Sequence, residues 1–374
     1  MAFHRAPSPP TTWDLPRPRR LRDGQGERVV VEIAGAPVTF RSRGAPLRAS
    51  PEAFAGLFLL PALATQARLR VQAPLDPTWV LGTRTLTGIY ADWWGYPVTY
   101  PIDARVTASD ESPPAPAHAL WFTGGVDAFH ALLTASSRYD HLVFVRGFDA
   151  KRGDEIRLRA FEASLADIGK ATSKRVLLLE TDLREHPLFA AVSWERTHGA
   201  ALAAVGHVLG RLVGAMTIPP TWSHARLGPW GSHPETDELW STHRMRIFHG
   251  EGGTSYVDRV RRIAGYPLTW QHLRVCGEDL SEGVNCSRCE KCLRTMVSLD
   301  GVGALDRYEV FDRTHSLADR IDELPRIRPS AFPFWEELLD LDLQPDVRGA
   351  VERLARRSRP PWWRRAFGWR HRPT

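Results

Sequence analysis

The chain has 374 residues, too many for a typical single core, and 43% of them are apolar, enough for a sizeable interior. Its net charge of +6 is uneven: 45 of the 49 basic residues are arginine, and eight of those lie in residues 353–374, leaving −2 for the rest. A near-neutral body argues against a groove for a long polynucleotide, so there is no strong nucleic-acid signal.

Residues 1–28 are rich in Pro and Arg without periodicity, so they read as a disordered arm. They contain no apolar stretch of the secretory type, and the longest apolar run, at 54–64, includes Pro61 and is too short to span a bilayer; a cytoplasmic protein is expected. Residues 29–110 read as a small N-terminal α/β domain. RVVVEIAG and APVTFRSRG give two strands around a turn, a helix begins at Pro51, RLRVQAPL is a strand, and a second helix runs over 77–94. The Pro-rich stretch DESPPAPA (110–117) reads as a linker.

From 118 onward strands alternate with helices, the pattern of a parallel sheet with helices on its faces. Strands are expected at 118–122, 141–147, 175–181 and 216–222, with helices at 126–137, 154–169 and 199–214. The strand ends mark candidate ligand positions: Arg146, Gly147, Phe148 and Asp149 after the second strand, and Glu180, Thr181 and Asp182 after the third. Backbone amides at Arg146 and Gly147 could read an adenine edge, while Asp149 and Asp182 equally suit turns or caps. His198 opens a helix rich in small residues and is a candidate for contact with a ligand carboxylate or phosphate, or a simple cap.

The stretch 223–275 is irregular and rich in Gly, His and Trp, and long loops of this kind tend to carry sites. Its histidines, His224, His233, His243 and His249, fit no common metal spacing. Ser232, His233 and Asp237 are candidate substrate contacts, with Trp230 and Trp240 as stacking surfaces. A helical extension is expected over 311–352. The tail 353–374 interleaves Arg with Trp, which suits a protein partner or a membrane surface; a homo-oligomer is also compatible.

Two segments carry chemistry. The only four cysteines, Cys276, Cys286, Cys289 and Cys292, are spaced C-x9-C-x2-C-x2-C. Two thiolates separated by two residues form a tight knuckle, and four complete the tetrahedral shell that Zn²⁺ prefers in structural sites. Disulfides and an iron–sulfur cluster are the competing readings. The other segment is HALWFTGGVDAFHALL, a strand, a Thr-Gly-Gly turn and a helix. Glycines let the backbone close on a ligand, and the amides of Gly124, Gly125 and Val126 at a helix N-terminus suit phosphate. Thr123 adds a hydroxyl, and Asp127 could complement the helix dipole or hold Mg²⁺.

TGGVDA resembles the SGGxDS loop of the PP-loop (N-type) ATP pyrophosphatases. Together with a late four-cysteine segment, it resembles the 7-cyano-7-deazaguanine synthase family over about 118–300, within an expected ATP-binding domain of 118–310. The resemblance implies a PP-loop adenine-nucleotide (HUP-like) α/β domain with ATP, Mg²⁺ and Zn²⁺. It implies ATP-dependent adenylation of a carboxylate on a small, deazapurine-like substrate, release of AMP and pyrophosphate, and C–N bond formation. By motif position, Thr123, Gly124, Gly125, Val126 and Asp127 would cradle the phosphates, with Asp127 and His198 as candidate catalytic residues. Thr123 replaces the first serine of the motif and keeps a hydroxyl, whereas Ala128 replaces the last and loses one. Two further readings stay open: a non-catalytic nucleotide-binding scaffold or sensor, and a tRNA-modifying PP-loop enzyme.

Overall fold

The computed structural model of the protein describes residues 11–107, 113–148, 155–277 and 284–359. The expected arm lies outside them over 1–10, as do Asp149 and the tail over 360–374.

From Thr12 the arm is strand rather than coil. β1 (Thr12–Leu15), β2 (Arg19–Asp23), β3 (Gly26–Ile33) and β4 (Ala36–Ser42) are all ordered elements. Trp13 and Leu15 of β1 are buried, and β3 alternates so that Val29, Val31 and Ile33 face inward. The reading as an arm failed at β2 because it is an edge strand with almost every residue exposed. Its arginines show no alternation and blunt the open sheet edge. Helix α1 (Pro51–Thr65) is buried along nearly its whole length, so it shows no amphipathic stripe. β5 (Arg68–Leu75) joins β1 and β6 (Ile102–Val106) in a parallel three-stranded sheet. α2 (Pro77–Trp94) starts where the Asp76 carboxylate accepts from the amides of Thr78 and Trp79, and it ends at left-handed Gly95.

The main sheet follows, with β7 (Ala117–Trp121), α3 (Val126–Thr134), β8 (His141–Arg146), α4 (Glu155–Thr172) and β9 (Arg175–Thr181). A single turn α5 (Pro187–Ala190), α6 (Trp194–Val208), β10 (Val213–Ile218) and β11 (Arg246–His249) complete it. Its order is β11-β10-β7-β8-β9-β4-β3-β2. The first five strands are parallel; counted along the chain they stand 5-4-1-2-3, a doubly wound arrangement whose direction reverses between β7 and β10.

β4 pairs antiparallel with β9, so the N-terminal hairpins extend the main sheet. The expected boundary at 110 therefore does not separate two cores. One core lies on one face of the sheet and joins α1, α2 and α6 to Ala119, Trp121, Val143 and Leu179. The other face, with Leu120, Phe122, Leu142 and Phe144, is covered by α3 and α4. The remaining cover comes from α7 (Tyr256–Ile263), α8 (Pro267–His272), α9 (Glu290–Gly301), α10 (Leu317–Glu323), α11 (Phe332–Leu338) and α12 (Pro345–Ser358). Residues 353–358, read as tail, are the last turns of α12. Arg353 pairs with Asp322, and Arg357 donates to the carbonyls of Ile321, Asp322 and Leu324 at the end of α10. No helix of the described residues is long and apolar enough to cross a membrane.

Candidate functional site

A reversal of strand direction leaves a crevice at the carboxyl ends of the strands flanking it, here β7 and β10. The β7 lip is the Thr123–Asp127 turn. Gly124 is left-handed at φ 74°, and a Cβ there would lie 2.9 Å from the Phe161 ring, so a side chain is excluded on two grounds. Gly125 is the residue before α3 and has no side chain with which to cap it, leaving the first amides of the helix without a side-chain partner among the described residues. A Cβ at Gly125 would meet nothing closer than 3.4 Å, so the protein itself does not require glycine there. Ala128, the position of the lost hydroxyl, is buried in the core beside Phe129.

Arg259 of α7 ties this lip to the other. Its guanidinium is 1% exposed and donates to Asp127 Oδ1 (2.7 Å). It also donates to the carbonyls of Pro220 (2.6 Å), Thr221 (3.2 Å) and Trp222 (3.2 Å) after β10, and to that of Thr254. One carboxylate oxygen of Asp127 is thus committed to Arg259. Behind them Arg294 lies over the rings of Tyr256 (4.8 Å) and Phe334 (4.2 Å), and Phe334 stacks on Trp222 at 4.6 Å. Burial and the neighbouring carboxylates push the Tyr256 hydroxyl up to about 12, so it stays protonated and hydrogen-bonded to Thr295. The sequence carried one signal for Arg259: it sits on the apolar face of α7, three residues after Tyr256 and four before Ile263.

The four cysteines form a single cluster. All are free of disulfides, and their sulfurs lie within 4.8 Å of one another, with Cys276–Cys289 at 3.9 Å and Cys286–Cys292 at 3.8 Å. Metal–sulfur bonds of about 2.3 Å in a tetrahedron put the sulfurs about 3.8 Å apart, so the group could hold a metal ion such as zinc. Asn285 fixes the approach, accepting from the amides of Val275 and Cys276 while donating to the Leu273 carbonyl. Cys289 is the residue before α9, which the knuckle therefore starts. The cluster also reaches the glycine turn. Arg274, two residues before Cys276, donates its backbone amide to the Gly124 carbonyl (2.8 Å) and its guanidinium to the Thr123 carbonyl (3.3 Å). Its guanidinium lies over Phe161 at 4.6 Å.

The other sequence candidates fall elsewhere. Arg146 pairs with Glu162 at 3.3 Å and lines a separate cleft of about 240 Å³ with Arg41, Arg43 and Arg175. Gly147 is left-handed, but a Cβ there would lie 2.0 Å from the Thr181 carbonyl, so the close approach is to β9. The Asp182 carboxylate accepts from the Thr39 amide at 2.7 Å and anchors β4. His198 donates Nδ1–H to the Trp194 carbonyl (3.0 Å), and its ring meets Trp230 at 5.5 Å. Ser232, His233 and Asp237 are buried and cannot act as open substrate contacts, because they satisfy one another: Asp237 accepts from Ser232 Oγ at 2.7 Å and from the His233 amide at 3.1 Å. Trp240 is a core residue against Trp79. The third carboxylate interaction of Asp237, with His249 Nδ1 at 2.7 Å, had no signal in the spacing of the histidines.

Searches against protein families, curated proteins and solved structures find no match to the chain.

Proposed function

We propose that the crevice binds ATP by its phosphates at the Thr123–Asp127 turn and uses it to adenylate a small carboxylate. The observation that carries this reading is a left-handed glycine followed by an uncapped helix start on the carboxyl edge of the strand where the sheet reverses. The amides of Gly125, Val126 and Asp127 are available to phosphate oxygens, the Thr123 hydroxyl stands beside them, and Mg²⁺ accompanying the nucleotide would find the carboxylate of Asp127. Arg259 holds that carboxylate in place and fixes the facing loop. This is the arrangement expected of a PP-loop, and the likeness to the 7-cyano-7-deazaguanine synthase family makes a heteroaromatic acid the first substrate to try. Zn²⁺ in the four-cysteine group would be structural, since four thiolates leave no open position.

The chain supplies charge stabilisation for a pyrophosphate leaving group: amides at a helix start and no Walker lysine for transfer of a single phosphoryl group. The substrate carboxylate attacks the α-phosphorus, pyrophosphate departs, and a nitrogen nucleophile then displaces AMP from the acyl carbon. The products of ATP cleavage test this directly. Incubation with Mg·ATP, ammonium chloride and a panel of heteroaromatic carboxylic acids should give AMP and pyrophosphate in equal amounts. ADP and phosphate as the coupled products would overturn the reading.

A further inference from the structure

Outside the turn, the fold joins residues that the sequence keeps apart. Asp237 is fully buried at the start of a short 3₁₀ segment, and His249 is the last residue of β11. His249 pairs in register with Ile218, the last residue of β10, which places it on the carboxyl edge next to the crevice. The ring interacts through Nδ1 with Asp237 Oδ2, the same oxygen that accepts from the Ser232 hydroxyl. An ionised carboxylate only accepts, so the proton of a neutral His249 ring resides on Nδ1 and the lone pair on Nε2. Nε2 makes no hydrogen bond among the described residues, and the side chain keeps 7% of its surface exposed.

Of the other histidines, His243 also pairs through Nδ1 with a buried carboxylate, that of Asp76, whereas His207, His186, His118 and His233 do not. The Nε2 of His207 and that of His186 are each spent on a backbone carbonyl in the interior. His118 gives its Nε2 to the Thr217 hydroxyl, and His233 uses Nδ1 to accept from the Glu235 amide. His249 and His243 each set a buried carboxylate behind the ring, and of the two it is His249 that ends a strand beside the crevice. The Ser232 hydroxyl points to the carboxylate and not to the imidazole, so the group is not a serine nucleophile with its base.

We infer that His249 is the general base of the nitrogen-transfer step and that Asp237 is its positioning residue. The inference rests on the adenylation reading above. As the amine attacks the acyl carbon, the new C–N bond forms, the N–H proton passes to His249 Nε2, and the bond from carbon to the AMP oxygen breaks with its electron pair. The Asp237 carboxylate stabilises the resulting imidazolium, which returns its proton to water.

Two measurements on the full chain test this. With ATP and the acid panel, hydroxylamine reports adenylation, because it traps an acyl-adenylate with little help from a base, whereas ammonium chloride reports base-assisted transfer. In His249→Gln the ratio of ammonia-derived amide to hydroxamate should fall by about 10²-fold or more. An unchanged ratio overturns the assignment. No hydroxamate and no AMP from wild-type protein would instead overturn the adenylation reading, and the transfer step with it. Ring ¹⁵N shifts should place the proton of the neutral His249 ring on Nδ1 and move it to Nε2 in Asp237→Asn, a change that a purely structural pair would not couple to the amide ratio. A proton already on Nε2 in wild-type protein sinks the inference whatever the activity.

Discussion

At the scale of single residues, the two glycines of the turn separate folding from ligand binding. Gly124→Ala forces a side chain into a left-handed conformation and against Phe161, and should cost about 1–2 kcal/mol of stability. Gly125→Ala adds a methyl group the protein can hold at ordinary contact distance, and should change stability by about 0.5 kcal/mol or less. The same methyl occupies the space a phosphate would use, so ATP affinity should fall about tenfold or more, or about 1.4 kcal/mol. Paired melting and nucleotide-titration curves decide it; a Gly125→Ala protein that binds ATP normally would reduce the turn to a turn. The glycines themselves were legible, because a strand, two small residues and an acidic helix start stand in sequence. Arg259 and His249 were not, because their meaning comes from partners 132 and 12 residues away whose approach only the packed sheet determines. For the same reason Ser232, His233 and Asp237 looked like ligand contacts: polar side chains in an irregular loop carry no sign that they will satisfy one another.

Among elements, the cysteine segment acts as a strut between α9 and the glycine turn. Cys276 lies two residues from Arg274, whose amide holds the Gly124 carbonyl, while Cys289 starts α9. Cys289→Ser or a chelator should therefore lower the melting temperature by roughly 5–10 °C. It should also weaken nucleotide binding, because Arg274 carries the change to the turn. Metal analysis alongside calorimetry checks this, and a metal-free protein of unchanged stability would refute it. Spacing alone drew attention to the four cysteines, as Pro77 did for the start of the helix expected over 77–94, since both signals are local. The strands of the supposed arm escaped notice because β1 borrows its partner from β5 and β2 keeps no buried face.

For the whole molecule, acid should act through histidines that the fold keeps neutral. His118, His130, His141, His207, His233 and His272 are all held below the ordinary histidine pKa, chiefly by burial. Between the lowered values and about 6.5 the unfolded chain binds more protons than the folded one, so stability rises with pH there. It should be complete above about pH 6.5 and decline as the pH falls below that. Asp322, held low by Arg353, adds a further loss in stronger acid. Melting curves from pH 7.5 to 5.5 should show a steady decline, with bound metal assayed in parallel because protonated thiols release it over a similar range. A flat profile would contradict the burial argument. The domain plan was the least legible feature at this scale, because its boundary at 110 fell inside a shared sheet.

That shared sheet has a consequence for synthesis. Thr39 and the Asp182 that anchors it are 143 residues apart, and the buried helix α1 packs against α6, which is made later still. At about 5–20 residues per second, the ribosome needs roughly 7–29 s to deliver the strand on which β4 rests. During that interval one face of the newborn hairpin and the apolar length of α1 wait without their permanent neighbours. The early segment is thus an unfinished half whose protection depends on how promptly translation supplies the other.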